Sequence, residues 1–98
     1  MKIKHVILDR DGTLIKYIPY LFEKEKVELI PGTIEAINIL IKKKIKIYLH
    51  TNQSGVGRGY FRISDVEDCN NKMIELIGLG QNIFQEICVA PDFPPSKV

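Results

Sequence analysis

Short apolar runs and longer amphipathic stretches alternate along this chain. Residues 6–8, Val-Ile-Leu, are apolar without a break, which predicts a first strand over residues 3–8 that is buried on both faces. The run stops at two carboxylates, Asp9 and Asp11, with Gly12 behind them to allow a tight turn. Residues 13–30 keep no sustained period. Thr13, Leu14 and Ile15 read as a short strand, Pro19 excludes a regular helix or central strand around it, and residues 23–28 read as charged and exposed. Pro31 suits the first turn of a helix. Ile34, Ile37 and Leu40 or Ile41 then form an apolar stripe, and Lys42, Lys43 and Lys44 close the helix where cations favour its dipole.

Residues 45–50 alternate, with Ile45, Ile47 and Leu49 on one face, and predict a second strand. A glycine-rich loop follows over residues 51–59. Ser64 and Glu67 fit a capping box that opens a helix reaching about Ile77, with Val66, Cys69 or Asn70, Met73 and Ile77 inward and Gly78 and Gly80 at its end. Residues 83–90 contain a third strand. The order β-α-β-α-β with long crossovers predicts an α/β fold, a Rossmann-like parallel sheet flanked by helices.

Composition adds little to this pattern and removes several function classes. A chain of 98 residues that is 45% hydrophobic and 27% charged suits one globular core. A net charge of +2 is too small to indicate a nucleic-acid partner or a membrane surface. No apolar run has the length of a membrane span, and the N-terminus lacks a signal-peptide pattern. Cys69 and Cys88 lack metal-ligand spacing and read as free thiols in a reducing cytoplasm.

The chemistry concentrates at two strand ends. Ligands of open α/β sheets bind beyond the carboxyl ends of the strands. Asp9 and Asp11 repel each other there, which calls either for a divalent cation or for a raised pKa on one acid. Mg²⁺ suits such a pair, because it takes one or two carboxylates, waters and substrate phosphate oxygens. The plainer alternative is a solvated turn after a strand. Thr51 opens the loop after the second strand with a hydroxyl and backbone N–H groups, the donors a transferring phosphoryl group needs. Gly55, Gly57 and Gly59 allow tight backbone, and Arg58 either pairs with phosphate or fixes the loop. No Gly-Lys-Ser/Thr follows, so this is not a Walker loop.

Asp9-Arg10-Asp11-Gly12-Thr13-Leu14 resembles the first motif, DxDGT, of the haloacid-dehalogenase-like phosphatases. Thr51-Asn52-Gln53-Ser54-Gly55-Val56-Gly57-Arg58-Gly59 is similar to the second motif of the branch that holds the histidinol-phosphate and heptose bisphosphate phosphatases. The resemblance covers nearly the whole chain but only the first half of a complete member. It implies a Mg²⁺-dependent phosphomonoesterase working through an aspartyl-phosphate. Asp9 is then nucleophile and metal ligand. Asp11 is acid, base and metal ligand, with its backbone carbonyl a further ligand, and Thr51 binds the phosphoryl group. Arg10, Tyr20, Asn52, Gln53, Ser54 and Arg58 become the expected substrate-binding residues, and residues 13–30 a small flap in place of a large cap. The implied partner is a small phosphorylated metabolite, heptose bisphosphate ahead of histidinol phosphate.

The chain departs from the family in two ways. Ala90 and Asp92 stand where many relatives place Cys and His of a zinc loop, so no zinc is expected. The third and fourth motifs lie beyond the third strand, which implies an N-terminal part of a larger phosphatase. The other half would then be a partner if it exists as a separate piece, and the first strand an exposed apolar edge. Two rival readings remain. One is a polynucleotide 3′-phosphatase, against which Arg10 and the weak charge speak. The other is a non-catalytic phosphate-binding or regulatory module, against which the second aspartate and the Thr51–Ser54 loop speak.

Overall fold

A computed structural model describes residues 4–92. Three parallel strands, β1 (His5–Asp9), β2 (Lys46–Asn52) and β3 (Phe84–Ala90), form one sheet in the order β1-β2-β3. The first crossover carries a 3-10 turn (Lys24–Lys26) and helix α1 (Thr33–Lys42); the second carries a single turn, α2 (Ser54–Gly57), and helix α3 (Ile63–Ile77). Both crossovers step the same way across the sheet. Right-handed connections therefore put α1 and α3 on the same face.

Register shows which residues that face contains. Val6 pairs with Ile47 and Leu8 with Leu49, and these side chains join Ile37, Cys69, Met73, Ile74 and Ile77 in one apolar core. The strand residues between them point to the other face. Ile7 is 72% exposed, so the expectation that β1 is buried on both faces does not hold. Its apolar run is continuous, but only alternate members meet a helix. No helix among the described residues is long and apolar enough to cross a membrane.

Several elements differ locally from expectation. On α1, Thr33 and Ile37 are buried while Ile34 and Ile41 are exposed. The inward stripe is centred on positions 33, 37 and 40, which leaves Ile34 and Ile41 at its flank. Gly32 caps this helix at φ +95°, a conformation that favours glycine. β2 extends through Thr51 and Asn52, because pairing with Val89 and Ala90 of β3 continues that far. α3 begins before Ser64, and the backbone N–H of Arg62 donates to Asp65 Oδ2 at 2.8 Å. Asp65, not Glu67, thus supplies the carboxylate that reaches back to the helix start.

Candidate functional site

The carboxyl end of β1 and the turn after it bring two carboxylates into different surroundings. Asp9 ends the strand, pairs in register with His50, and is exposed. Among the described residues no side chain bonds its carboxylate. The chain then turns sharply: the Gly12 N–H donates to Ile15 O at 2.8 Å and the Leu14 N–H to Arg10 O at 2.9 Å. Gly12 sits at φ +80°, which this turn requires. The turn delivers Asp11 to the helix-covered side, where its side chain is only 20% exposed.

Asp11 is held from three directions. Gln53 Nε2 donates to Asp11 Oδ2 at 2.9 Å, Thr51 Oγ1 to the same oxygen at 3.4 Å, and Arg10 Nε to it at 3.2 Å. Arg10 Nη2 donates to Asp11 Oδ1 at 3.2 Å. Gln53 Nε2 also donates to Thr51 Oγ1 at 2.7 Å, so the hydroxyl of Thr51 accepts from one neighbour while giving its proton to the other. Charge-assisted bonds to both carboxylate oxygens leave Asp11 little freedom to rotate.

Arg10 does not stand where a substrate contact would. It is fully buried (0% exposed), and its donors go to Asp11 and, through Nη1 at 3.0 Å, to Asn70 Oδ1 on α3. The expectation that Arg10 lies among the substrate-facing residues fails on this geometry: a buried guanidinium must spend its donors inside, and it does so behind Asp11. Sequence reasoning missed Asn70 as its partner. The available signal was an asparagine inside the apolar stripe of α3, a polar group that needs a buried partner. Cys69 lies beside this cluster, fully buried, and burial pushes its thiol pKa up while Arg10 opposes the shift.

A cleft of about 230 Å³ opens beside Asp11. Tyr20, Asn52, Gln53 and Ser54 line it, which brings four of the expected substrate-facing residues together. Tyr17 also lines it, and no sequence signal singled that residue out. Asp9 is not one of the wall residues. Arg58 is exposed at the end of α2, where its N–H donates to Ser54 O at 3.0 Å.

Among the described residues no group of three or more His, Cys, Asp or Glu is placed to hold a metal. Asp9 and Asp11 are the carboxylates of this strand end and turn, and both oxygens of Asp11 already accept hydrogen bonds. A pair of acids is the kind of donor set that Mg²⁺ takes, completed by water and phosphate oxygens.

No family model matches the chain. Individual relatives do. The chain is 38% identical over 92 residues to the D-glycero-D-manno-heptose-1,7-bisphosphate 7-phosphatase of Chlorobaculum tepidum, covering 93% of this chain and 46% of that protein. It is 31% identical over 97 residues to the histidine biosynthesis bifunctional protein HisB of Legionella pneumophila, covering 96% of this chain and 27% of that one. A crystal structure of D,D-heptose 1,7-bisphosphate phosphatase from B. bronchiseptica, complexed with magnesium and phosphate, superposes with a TM-score of 0.84 at 27% identity over 98% of this chain and 54% of that one. The chain spans about half the length, or less, of these relatives.

Proposed function

From a chain that belongs by sequence and by fold to the haloacid-dehalogenase-like phosphatases, we infer a Mg²⁺-dependent phosphomonoesterase that acts on a small sugar phosphate. The observation that carries this reading is the asymmetry of the two acids. Asp9 is exposed and has no side-chain partner among the described residues, and Asp11 is fixed by Gln53, Thr51 and Arg10. A nucleophile needs an open line to phosphorus, and an acid–base group needs a fixed one to the leaving oxygen.

In the first step an Asp9 oxygen attacks phosphorus and the ester P–O bond breaks. The leaving oxygen takes the proton of Asp11 in its acid form. In the second step Asp11, now a carboxylate, takes a proton from water. The resulting hydroxide attacks the phosphorus of the aspartyl-phosphate, releasing phosphate and restoring Asp9. Asp9, Asp11 and the Asp11 backbone carbonyl would hold Mg²⁺, which when bound offsets the repulsion between phosphate and Asp9. Thr51 is fully buried and its hydroxyl donates to Asp11, so it would meet a phosphoryl oxygen only by giving up that bond. Tyr20, Asn52, Gln53 and Ser54 contact the sugar, and Arg58 adds charge at the loop end. Arg10 acts one layer back, by orienting Asp11. The short segment of residues 13–30 serves as a flap rather than a cap domain.

Heptose bisphosphate leads among substrates, since the relatives named above include two heptose bisphosphate phosphatases, and histidinol phosphate follows. The proposed setting is the cytoplasm. Phosphate release from each ester, with Mg²⁺ and with a chelator, tests the reading on the protein that carries this chain. Turnover that the chelator abolishes is expected, and chelator-resistant turnover or none would overturn it.

A further inference from the structure

The tip of the 13–30 segment is fastened by rings. Tyr20 meets Tyr60 edge-to-face at 4.9 Å between centroids, and Phe22 lies nearly parallel to Phe61 at 6.1 Å. Tyr20 and Phe22 come from the segment before α1; Tyr60 and Phe61 come from the connection between α2 and α3. That connection bends back so that the Tyr60 N–H donates to Gly55 O at 2.8 Å. Gly55 is the floor on which the rings close. A Cβ there would stand 2.5 Å from Phe61 Cζ and 3.1 Å from Tyr20 Cδ1. The first distance is closer than carbon atoms tolerate, so a side chain at position 55 must displace the Phe61 ring.

Tyr20 is also the residue this arrangement has to hold. Its φ of +51° is left-handed, an uncommon conformation for a bulky residue that persists where surroundings enforce it. The segment is also fixed by packing: Leu14, Ile15, Leu21 and Val27 are in the core, Ile18 packs against it, and the Lys16 N–H donates to Glu28 O at 2.8 Å. The rings add to these anchors at Tyr20 and Phe22, on either side of Leu21, and Tyr20 and Tyr17 form part of the cleft wall.

We propose that Gly55, Tyr60 and Phe61 are positioning residues that set substrate selectivity by clasping Tyr20 in the cleft wall. The proposal rests on the phosphatase reading for its substrate class, a sugar phosphate. The clasp acts on the sugar, beyond the phosphoryl group. An ester whose body does not reach the wall is indifferent to it.

The test compares wild type, Gly55→Ala, Phe61→Ala and the double variant, using two readouts. Amide hydrogen exchange reports the tip directly: within residues 17–22 the Leu21 N–H, which donates to Ile18 O at 3.2 Å, loses protection in each variant, while residues 46–52 of β2 keep theirs. Steady-state kinetics with heptose 1,7-bisphosphate and with p-nitrophenyl phosphate report selectivity. KM for the sugar phosphate rises about tenfold, a size suited to one or two lost aromatic contacts, and kcat/KM for p-nitrophenyl phosphate stays within about twofold. Once the Phe61 ring is gone, the closest remaining neighbour of the added methyl group is Tyr20 Cδ1 at 3.1 Å, so Gly55→Ala changes less in the Phe61→Ala background than in the wild type. Unchanged exchange at residues 17–22 in both single variants would overturn the clasp. Equal losses on both esters would overturn its role in selectivity. No turnover of either ester by the wild type would remove the phosphatase reading and the selectivity claim with it, while exchange would still decide whether the rings hold the tip.

Discussion

The two faces of the sheet differ sharply. One is covered by α1 and α3 and gathers Val6, Leu8, Ile47 and Leu49 into the core. The other carries His5, Ile7, Tyr48, His50, Glu86 and Cys88 around an open hollow. The same division runs into the site. Asp11 turns toward the covered side and is held by three side chains, whereas Asp9 shares the open face of Ile7 along β1 and is exposed. Packing on one side of the sheet thus fixes one acid and leaves its neighbour two residues away free. Two identical side chains, two positions apart, stand in different surroundings.

Breaking each acid in turn gives the largest expected effects. Asp9→Asn should reduce turnover by more than about a thousandfold, as expected for loss of a nucleophile, with the melting temperature unchanged because no side-chain bond is lost. Asp11→Ala should reduce turnover by about 10²–10⁴-fold, the usual contribution of an acid–base group. It should also destabilise the fold by roughly 2 kcal/mol. Breaking a buried pair costs ~3–5 kcal/mol, and the partial exposure of Asp11 and the remaining Asn70 contact reduce that figure. Paired activity and denaturation measurements separate these outcomes, and equal melting shifts would erase the distinction.

Next in size is the contrast in the strands. Leu49→Ala on the covered face should cost about 2–5 kcal/mol in denaturant unfolding, and Ile7→Ala on the open face less than about 1 kcal/mol. Thiol chemistry gives the smallest effect. Cys88 is exposed and should react with an alkylating reagent well before Cys69, which is buried. The Cys69 thiol is pushed above its ordinary 9.0 by burial. The unfolded chain therefore loses that proton first, so Cys69 favours folding fully below pH 9 and the benefit fades as pH rises through its folded-state pKa. A Cys69→Ala variant should show a shallower loss of stability above pH 9.

Much of this was legible from local pattern. Three apolar runs located the strands, and their order implied parallel pairing. Asp9 ends β1, Asp11 follows in the turn that Gly12 allows, and Thr51 stands one residue before the end of β2. Contacts between distant residues were not legible. Arg10 meets Asn70 across a separation of sixty positions, and a charged residue in a turn ordinarily reads as solvent-facing. The ring contacts at Gly55 join segments with no shared period, so nothing local connects Tyr20 with Phe61. The α1 stripe, read as Ile34, Ile37 and Leu40 or Ile41, was right at Ile37 and at Leu40 and missed at Ile34 for a different reason. A stripe drawn through apolar residues alone overlooked Thr33, which is buried and whose Oγ1 donates to Leu14 O at 2.9 Å.

The division of labour between the acids is tested most directly by trapping the phosphorylated intermediate. Wild type, Asp9→Asn and Asp11→Asn would be mixed with p-nitrophenyl phosphate and Mg²⁺, quenched in acid, and digested for mass analysis of the peptide around residue 9. The good leaving group needs no proton from Asp11, so Asp11→Asn should form the acyl-phosphate and fail to hydrolyse it. A gain of about 80 Da, one phosphoryl group on a carboxylate, should accumulate in Asp11→Asn and be absent from Asp9→Asn. Phosphorylation that persists in Asp9→Asn, or that never appears in Asp11→Asn, would contradict the assignment of Asp9 as nucleophile and Asp11 as the held acid and base.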